Sequence, residues 1–586
     1  MHDLSDLDLP QPGGPPVLGW GSDLVAEMLR RTGIEYVALN PGASLRGLHD
    51  SLVNYLGNRA PQLLLCLHED SATAIAHGYA KACDRPMAVA LHANVGLMHG
   101  LLGIWNAWCD RVPMLVLGAN GPVDAMRRRP WMDWMHTTKD QGALARHSVK
   151  WDDEPRSPGA LVESLARADA VMRERPCGPV HVCLDAGLQE QALDQPVALP
   201  DLSRHRAAEP AAADPETVER AAAMLAGARR PVLMVGRTTR SRSAWDARVR
   251  LAETLGARVI TDLKSPAAFP TTHPLHVTGL TLRISAAALA AVRDADVVLR
   301  LDWVDPGGFF AALGGPPQAR VIDCTLDPHL HHGASAEHHG LSPIDLPVRA
   351  EPDRFVAQLM GALGLKAHRP QAHPATRVEV GVASAAVPST AAPDSDAAID
   401  PTDVARALAG LRRSRPLTLA RVPIAWDGDA YPFEDPLDYL GYDGGGGLSS
   451  GPGNTVGAAL ALSGTGRTVV GVLGDGDFMQ GASALWTAAR YRIPALFVIS
   501  NNRSNFTDVG HQALMARQRD RPESNRWIGQ NIDDPAIDFA GLARAQGVEA
   551  IGPVGRREDL DAALRDAAAI TDSGRPALVD LVVARR

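Results

Sequence analysis

Short apolar runs bounded by Gly, Pro or Asp alternate with stretches of helical spacing along this chain. QLLLC, GPVHVCLD, PVLMVG, RVITDL, DVVLRL, RVIDCT, VVGVLG and PALVDLVV are the clearest. Each is nearly continuous in Val, Ile and Leu, the pattern of a strand covered on both faces. Strand candidates that alternate with helix candidates imply parallel sheets built from βαβ units. The pattern divides into three units: residues 16–190, 213–365 and 400–586. Residues 191–212 are rich in Pro, Ala and Asp, and 366–399 in Ala, Pro and Ser without sustained periodicity. Both read as linkers. The expected fold is α/β, with three doubly wound parallel-sheet domains.

One βαβ unit carries chemistry. The run before Gly474 predicts a strand, Gly481 to Tyr491 a helix, and Ala495 to Ser500 a second strand. Asp475 and Asn502 then lie just past the carboxyl ends of two strands, where open α/β sheets bind ligands. A carboxylate and an amide oxygen are hard ligands suited to Mg²⁺ or Ca²⁺, with phosphate and water completing the shell. Gly474 and Gly476 let the backbone approach a phosphate. Gly and Asp are also ordinary turn residues, so the Gly474-Asp475-Gly476 triplet says little alone. Its spacing to Asn501-Asn502 across a helix and a strand is far more specific.

Two other segments stand out. Gln62 to Glu69 reads as an apolar strand ending in an acid, followed by a small-residue helix stopped near Pro86. Glu69 is either a solvated strand-end residue or a desolvated carboxylate with a raised pKa, able to share a proton with a cofactor nitrogen. Asp443-Gly444-Gly445-Gly446-Gly447-Leu448 precedes a second small-residue helix. Four glycines alone suggest a flexible loop, and the context of a dinucleotide fingerprint is missing.

The three motifs, in this order, resemble the thiamine diphosphate (ThDP) dependent 2-oxo-acid decarboxylase and acetolactate synthase superfamily. The resemblance runs from about residue 15 to the C-terminus and is least specific in the middle third. It implies an N-terminal pyrimidine-binding domain, a central Rossmann-like domain and a C-terminal diphosphate-binding domain. It implies Mg²⁺ held by Asp475, Asn502 and the backbone carbonyl of Ser504. Cofactor-binding positions carried over are Gly446, Leu448, Gly474, Asp475, Gly476, Asp477 and Asn502, with Leu448 propping the cofactor and the Gly446 carbonyl accepting from its amino group. Glu69 would hydrogen-bond the aminopyrimidine and promote formation of the thiazolium ylid, the electron sink. The resemblance also implies a homodimer or homotetramer, with Glu69 of one chain facing the diphosphate domain of another.

Within the superfamily, residues 88–121 (AVALHANVGLMHGLLGIWNAWCDRVPMLVLGANG) are similar to the benzoylformate decarboxylase branch, which has a histidine after the corresponding strand. His92 is then a proton-relaying imidazole, or a capped histidine at a strand end. His99 and His68 are weaker candidates. Two departures concern the substrate pocket. The turn Asn40-Pro41-Gly42 is followed by Ala43, with Ser44 one place late. Asp302 stands where that branch carries a second active-site histidine, and an ionised carboxylate there would repel a 2-oxo acid. Ala43, Ser44, His99 and Asp302 are therefore candidate pocket residues, and benzoylformate itself is not assigned. The segment 126–136 (MRRRPWMDWMH) reads either as an interface loop or as a lid shaped by Trp131, Trp134 or Met135. Residues 515–529 (MARQRDRPESNRWIG) read as a possible second cover. The histidines at 329, 331, 332, 338 and 339 show no metal-ligand spacing and read as a solvated loop. The segment PVLMVGRTTRSRS lacks a clear glycine-rich flavin turn, so no flavin is expected.

The expected activity is decarboxylation of a small-molecule 2-oxo acid through ylid and enamine, releasing an aldehyde. The alternative is a carboligase, acetolactate synthase-like, that transfers the enamine to a second carbonyl. A non-catalytic ThDP-binding homologue is the reading from another class. Composition narrows the partners. Net charge is −9, from 58 basic and 67 acidic residues, which argues against nucleic acid or an anionic membrane as partner. No apolar run reaches the length of a membrane-spanning helix. The N-terminal stretch has neither the basic region nor the apolar core of a secretory signal. Six cysteines without C-x-x-C spacing suit a reducing cytoplasm.

Overall fold

The computed structural model describes residues 7–11, 17–326, 342–364 and 398–585. The five clustered histidines between 329 and 339, and the 366–399 linker except its last two residues, lie outside the described residues.

The apolar runs form three separate sheets, in which every strand pairing is parallel. The first contains β1 (Tyr36–Leu39), β2 (Gln62–Leu65), β3 (Met87–Ala90), β4 (Met114–Asn120), β5 (Asp152–Asp153) and β6 (Pro179–Asp185), in the order β2-β1-β3-β4-β6-β5. The second contains β7 (Pro231–Val235), β8 (Arg258–Ile260), β9 (Val297–Leu301), β10 (Arg320–Cys324) and β11 (Leu346–Val348), in the order β11-β10-β9-β7-β8. The third contains β12 (Leu417–Arg421), β13 (Thr468–Gly474), β14 (Ala495–Asn501), β15 (Glu549–Val554) and β16 (Ala577–Val582), in the order β12-β13-β14-β16-β15. Central strands such as β4, β6 and β14 are buried along their whole length, which is why their sequences run apolar without alternating.

In the first sheet the strand order reverses between β1 and β3. Loops leaving neighbouring strands on either side of such a reversal turn apart and leave a crevice between them. The Asn40-Pro41-Gly42 turn leaves β1 there, and His92 follows β3 there.

The first and third sheets are joined through helices. The Glu69–Cys83 helix packs along the Ser450–Ala461 helix more extensively than any other two helices touch. A Cβ on Gly457 would lie 1.9 Å from the Ile75 carbonyl oxygen, and one on Gly78 would lie 2.2 Å from that of Asn454. The two backbones are therefore in direct contact, and only glycine fits at those crossings. One core cluster runs through this junction, from Tyr36, Ile75 and Met114 to Val456, Phe478 and Phe497.

Two local expectations differ from the fold. The helix expected over Gly481 to Tyr491 is observed as the shorter Ala484–Arg490, and an additional short helix, Asp475–Gly481, precedes it. The strand expected to end at Glu69 stops at Leu65, and Glu69 is the first residue of the following helix. Among the described residues, no helix is long and apolar enough to cross a membrane.

Candidate active site

The site is assembled at strand ends in the first and third sheets. In the first, the turn after β1 and the loop after β3 meet in the crevice. Ser44 Oγ lies 2.8 Å from His92 Nδ1. Gly42 makes that approach possible, since a Cβ there would lie 2.1 Å from the His92 ring. Ser44 is buried and its position is fixed further by its carbonyl, which accepts from the Gln189 amide at 3.0 Å. Ala43 precedes it, and its carbonyl accepts from Arg129 at 3.2 Å. Burial, then the neighbouring His136, hold the His92 imidazole below its usual proton affinity, while Glu69 pulls the other way.

Glu69 is buried, next to the first turn of the Ala93–Asp110 helix. His99 Nδ1 lies 3.2 Å from its Oε2, and the rings of His99 and His68 stack with centroids 5.0 Å apart. The expectation of a raised pKa is overturned. Burial pushes the Glu69 carboxyl up, but the Asn40 amide, a backbone N–H and His99 outweigh it, and the group sits below the ordinary carboxyl value. Asn40, from the turn after β1, contributes most to the lowering, and the helix start adds a backbone N–H that no helical carbonyl takes.

At the third sheet, Asp475 and Asn502 follow adjacent strands β13 and β14 and converge. The Ser504 N–H lies 3.2 Å from Asp475 Oδ2 and 3.0 Å from Asn502 Oδ1. Asp475 is buried, and burial pushes its carboxyl up despite backbone donors from Gly476, Arg503 and Ser504. Asp475 Oδ2 and Asn502 Oδ1, bridged by the Ser504 N–H, are the kind of oxygen donors a hard cation takes. Gly474 faces open space, where a Cβ would meet nothing within 4 Å. Gly476 donates to Asp475 at 2.8 Å.

The glycine loop is held, not slack. Gly446 has φ +64, the left-handed region that glycine enters freely. At Gly445 a Cβ would lie 2.5 Å from Asn106 Oδ1, and at Gly447 2.6 Å from Leu102. The loop thus lies flat on the Ala93–Asp110 helix, with Asn106 bonded to both the N–H and the carbonyl of Gly447. From beneath, Asp443 takes the buried Arg421 guanidinium at 2.6 Å and the Asn454 amide at 2.7 Å. Asp477 accepts from Arg421 at 3.3 Å and from the Ser449 N–H at 2.8 Å. Asp477 therefore braces the loop. Ser449 also donates its hydroxyl to Asp70, beside Glu69. Leu448, between these anchors, is exposed.

The motifs are carried by segments with a common assignment. Residues 19–144 match the thiamine pyrophosphate enzyme N-terminal TPP binding domain, 218–359 its central domain, and 424–581 its C-terminal TPP binding domain. The chain belongs to the thiamine pyrophosphate enzyme family. Within that family it is 27% identical to benzoylformate decarboxylase of Pseudomonas aeruginosa, over 95% of this chain and 97% of that protein. It is 23% identical to the acetolactate synthase large subunit of Haemophilus influenzae, over 94% and 92%. Its fold matches the thiamine diphosphate-dependent 4-hydroxybenzoylformate decarboxylase of Rhodococcus jostii with a TM-score of 0.74, at 23% identity, over 96% of this chain and 99% of that one. This thiamine pyrophosphate enzyme therefore shares its family with both decarboxylases and acetolactate synthases.

Asp302 stands apart from the other candidates within the chain. It is buried at the junction of the first and second sheets, 3.4 Å from Arg111 Nη1 and 3.2 Å from Arg237 Nε, and it accepts from Thr325 Oγ1 at 2.8 Å. Burial pushes its carboxyl up, but Arg237 and Arg111 outweigh that and keep it ionised. Arg111 follows the far end of the 18-residue Ala93–Asp110 helix. That helix is about 27 Å long, so Asp302 is remote from His92 at its start. Sequence reasoning missed two groups that the fold brings to the site: His136, whose ring touches His92, and Arg421, which fixes the glycine loop. His136 ends the 126–136 segment, whose role was left open between interface loop and lid, and Arg421 neighbours no motif in sequence.

Proposed function

We propose that this chain is a Mg²⁺- and ThDP-dependent 2-oxo-acid decarboxylase that releases an aldehyde. The observation that carries the reading is the Ser44–His92 pair beside Glu69, at the strand-order reversal of the first sheet. Releasing an aldehyde requires a proton delivered to the carbon that has lost CO₂, and an imidazole near neutral pH is the natural carrier. The similarity to benzoylformate decarboxylase over nearly the whole chain supports the same choice.

Asp475 and Asn502, with the Ser504 carbonyl, would hold Mg²⁺. Gly474, Gly476 and Asn502 would border the diphosphate, and Leu448 and the Gly446 carbonyl the rings. The cofactor, when bound, supplies an electron sink that lets the carboxylate leave as CO₂. The protein's own part is to orient and to move protons. Glu69 would hold a proton for the cofactor's pyrimidine nitrogen. Its depressed pKa in the single chain rises when His99 is drawn away or a ring covers it, because either change removes stabilisation of its charge. Ser44 holds His92 by Nδ1 and turns Nε2 toward the substrate. Asp477 and Arg421 keep the loop in place.

A homodimer or homotetramer, with sites between subunits, is part of this proposal. Val95, Met98 and Leu102 are exposed along the Ala93–Asp110 helix, close to His99 and the glycine loop, and Leu67 and Leu448 are exposed as well. Apolar side chains left bare around a site invite a covering surface. All six cysteines are unpaired, which supports a reducing, cytoplasmic setting.

Mass spectrometry of products from aliphatic and aromatic 2-oxo acids tests the reading, with and without Mg-ThDP and added aldehydes. Cofactor-dependent aldehyde release is expected. Dominant 2-hydroxy ketone or acetohydroxy acid products would replace it with the carboligase reading.

A further inference from the structure

The 126–136 segment brings a second imidazole to His92. The rings of His92 and His136 meet edge to face, with centroids 4.5 Å apart and planes at 70°. His136 closes the short Asp133–His136 helix. That turn is tied down on two sides. Arg129 pairs with Asp133 at 2.7 Å and reaches the Ala43 carbonyl, and the Asn94 amide donates to the Met135 carbonyl at 3.3 Å. Trp131 and Trp134 point outward, 68% and 77% exposed, whereas Asp133 is buried and His136 half-buried. Its Nδ1 is buried and has no hydrogen-bond partner. A buried ring nitrogen left unpaired is costly, and such atoms concentrate where a ligand completes the bonding.

We propose that His136 is a positioning residue for the substrate: packed against His92 on the pocket wall, it offers a second N–H to the carboxylate of the 2-oxo acid. This rests on the decarboxylase reading above. Two imidazoles in contact repel when both are charged, so a proton on one ring disfavours a proton on the other. The charged groups that face the pair are Glu69, Arg129 and Asp133. His136 itself and Arg129, although Asp133 pairs with it, disfavour a proton on His92, and Glu69 favours one. Ser44 already engages His92 Nδ1, which leaves Nε2 as the second nitrogen of that ring.

Two variants test this, His136→Phe and His136→Asn, on the full-length protein. The first readout needs no turnover: the titration of the His92 Cε1–H resonance in ¹³C-histidine-labelled protein. Without His136 a repelling charge is lost, so His92 must gain its proton at higher pH in both variants. The second readout is steady-state kinetics on the preferred 2-oxo acid. kcat/KM should fall about 10- to 100-fold in His136→Phe, mainly through KM, as expected for losing one hydrogen bond to a charged group. The alkaline limb of its pH profile should move to higher pH, because His92 acts as the proton donor, and His136→Asn should recover part of KM. An unchanged His92 titration in both variants overturns the coupling of the two rings, and an unchanged KM overturns the carboxylate contact. A wild-type protein that decarboxylates no 2-oxo acid instead strikes the functional reading, and the titration then decides the pairing alone.

Discussion

The two ends of the Ala93–Asp110 helix are built from the same residue types and do opposite things. At its start lie His92, His99, Glu69 and His136, with the His136 Nδ1 unpaired and His99 exposed. At its finish, Asp110 receives Lys81 at 2.8 Å, His77 at 2.9 Å and the Gly444 N–H at 2.9 Å. Lys81 is shared further with the Gly441 and Tyr442 carbonyls, and Asp302 closes on Arg111 and Arg237. At the finish His77 Nδ1 is also unpaired, but Asp110 and Asp302 each have a cation of the chain beside them, and charges matched in this way hold domains together. Charged groups left with capacity to spare are where chemistry takes place.

The contrast can be broken in order of effect. Glu69→Gln should slow turnover by about 10²- to 10⁴-fold, the range for losing a positioned acid–base group, while calorimetry finds cofactor binding nearly intact. Unchanged turnover would remove Glu69 from the chemistry. Asp475→Ala should weaken cofactor and metal retention by at least about 10- to 100-fold, again by calorimetry, and full retention would refute the metal assignment. At the closed network, Arg421→Met strands Asp443 and Asp477 and should cost about 3–5 kcal/mol in denaturant unfolding. Asp302→Asn should cost less, about 1.5–3 kcal/mol, with turnover close to wild type. A collapse of turnover at wild-type stability would put Asp302 in the substrate site after all.

The smallest effect is a pH dependence. Burial pushes the Asp110 carboxyl up, but Lys81 and His77 outweigh it and hold it at about 2. A depressed carboxyl contributes stability that is complete above its unfolded pKa of about 4 and is lost as pH falls toward the folded value. Asp110→Asn should therefore flatten the acid limb of stability between about pH 4 and pH 2. A limb as steep as in the wild type would assign acid unfolding to other groups.

Much of this was legible in sequence because it is local. Buried parallel strands read as unbroken apolar runs, and Asp475 and Asn502 lie in a single βαβ unit whose spacing survives translation into structure. What was missed depends on contacts between distant segments. The glycines at 444–447 look like a slack loop until Asn106 and Leu102 are seen beneath them. Glu69 looks like a strand-end acid because QLLLCLHE stays apolar past Leu65, where β2 actually stops. The pairing of His92 with Ser44 and His136 joins three loops, and no periodicity carries it.

The most direct test is product analysis of the wild type and Glu69→Gln with a panel of 2-oxo acids, with and without Mg-ThDP. Aldehyde and CO₂ formed only with cofactor, and only by the wild type, are the expected result. Coupled products in place of aldehyde, or turnover that survives Glu69→Gln, would contradict it.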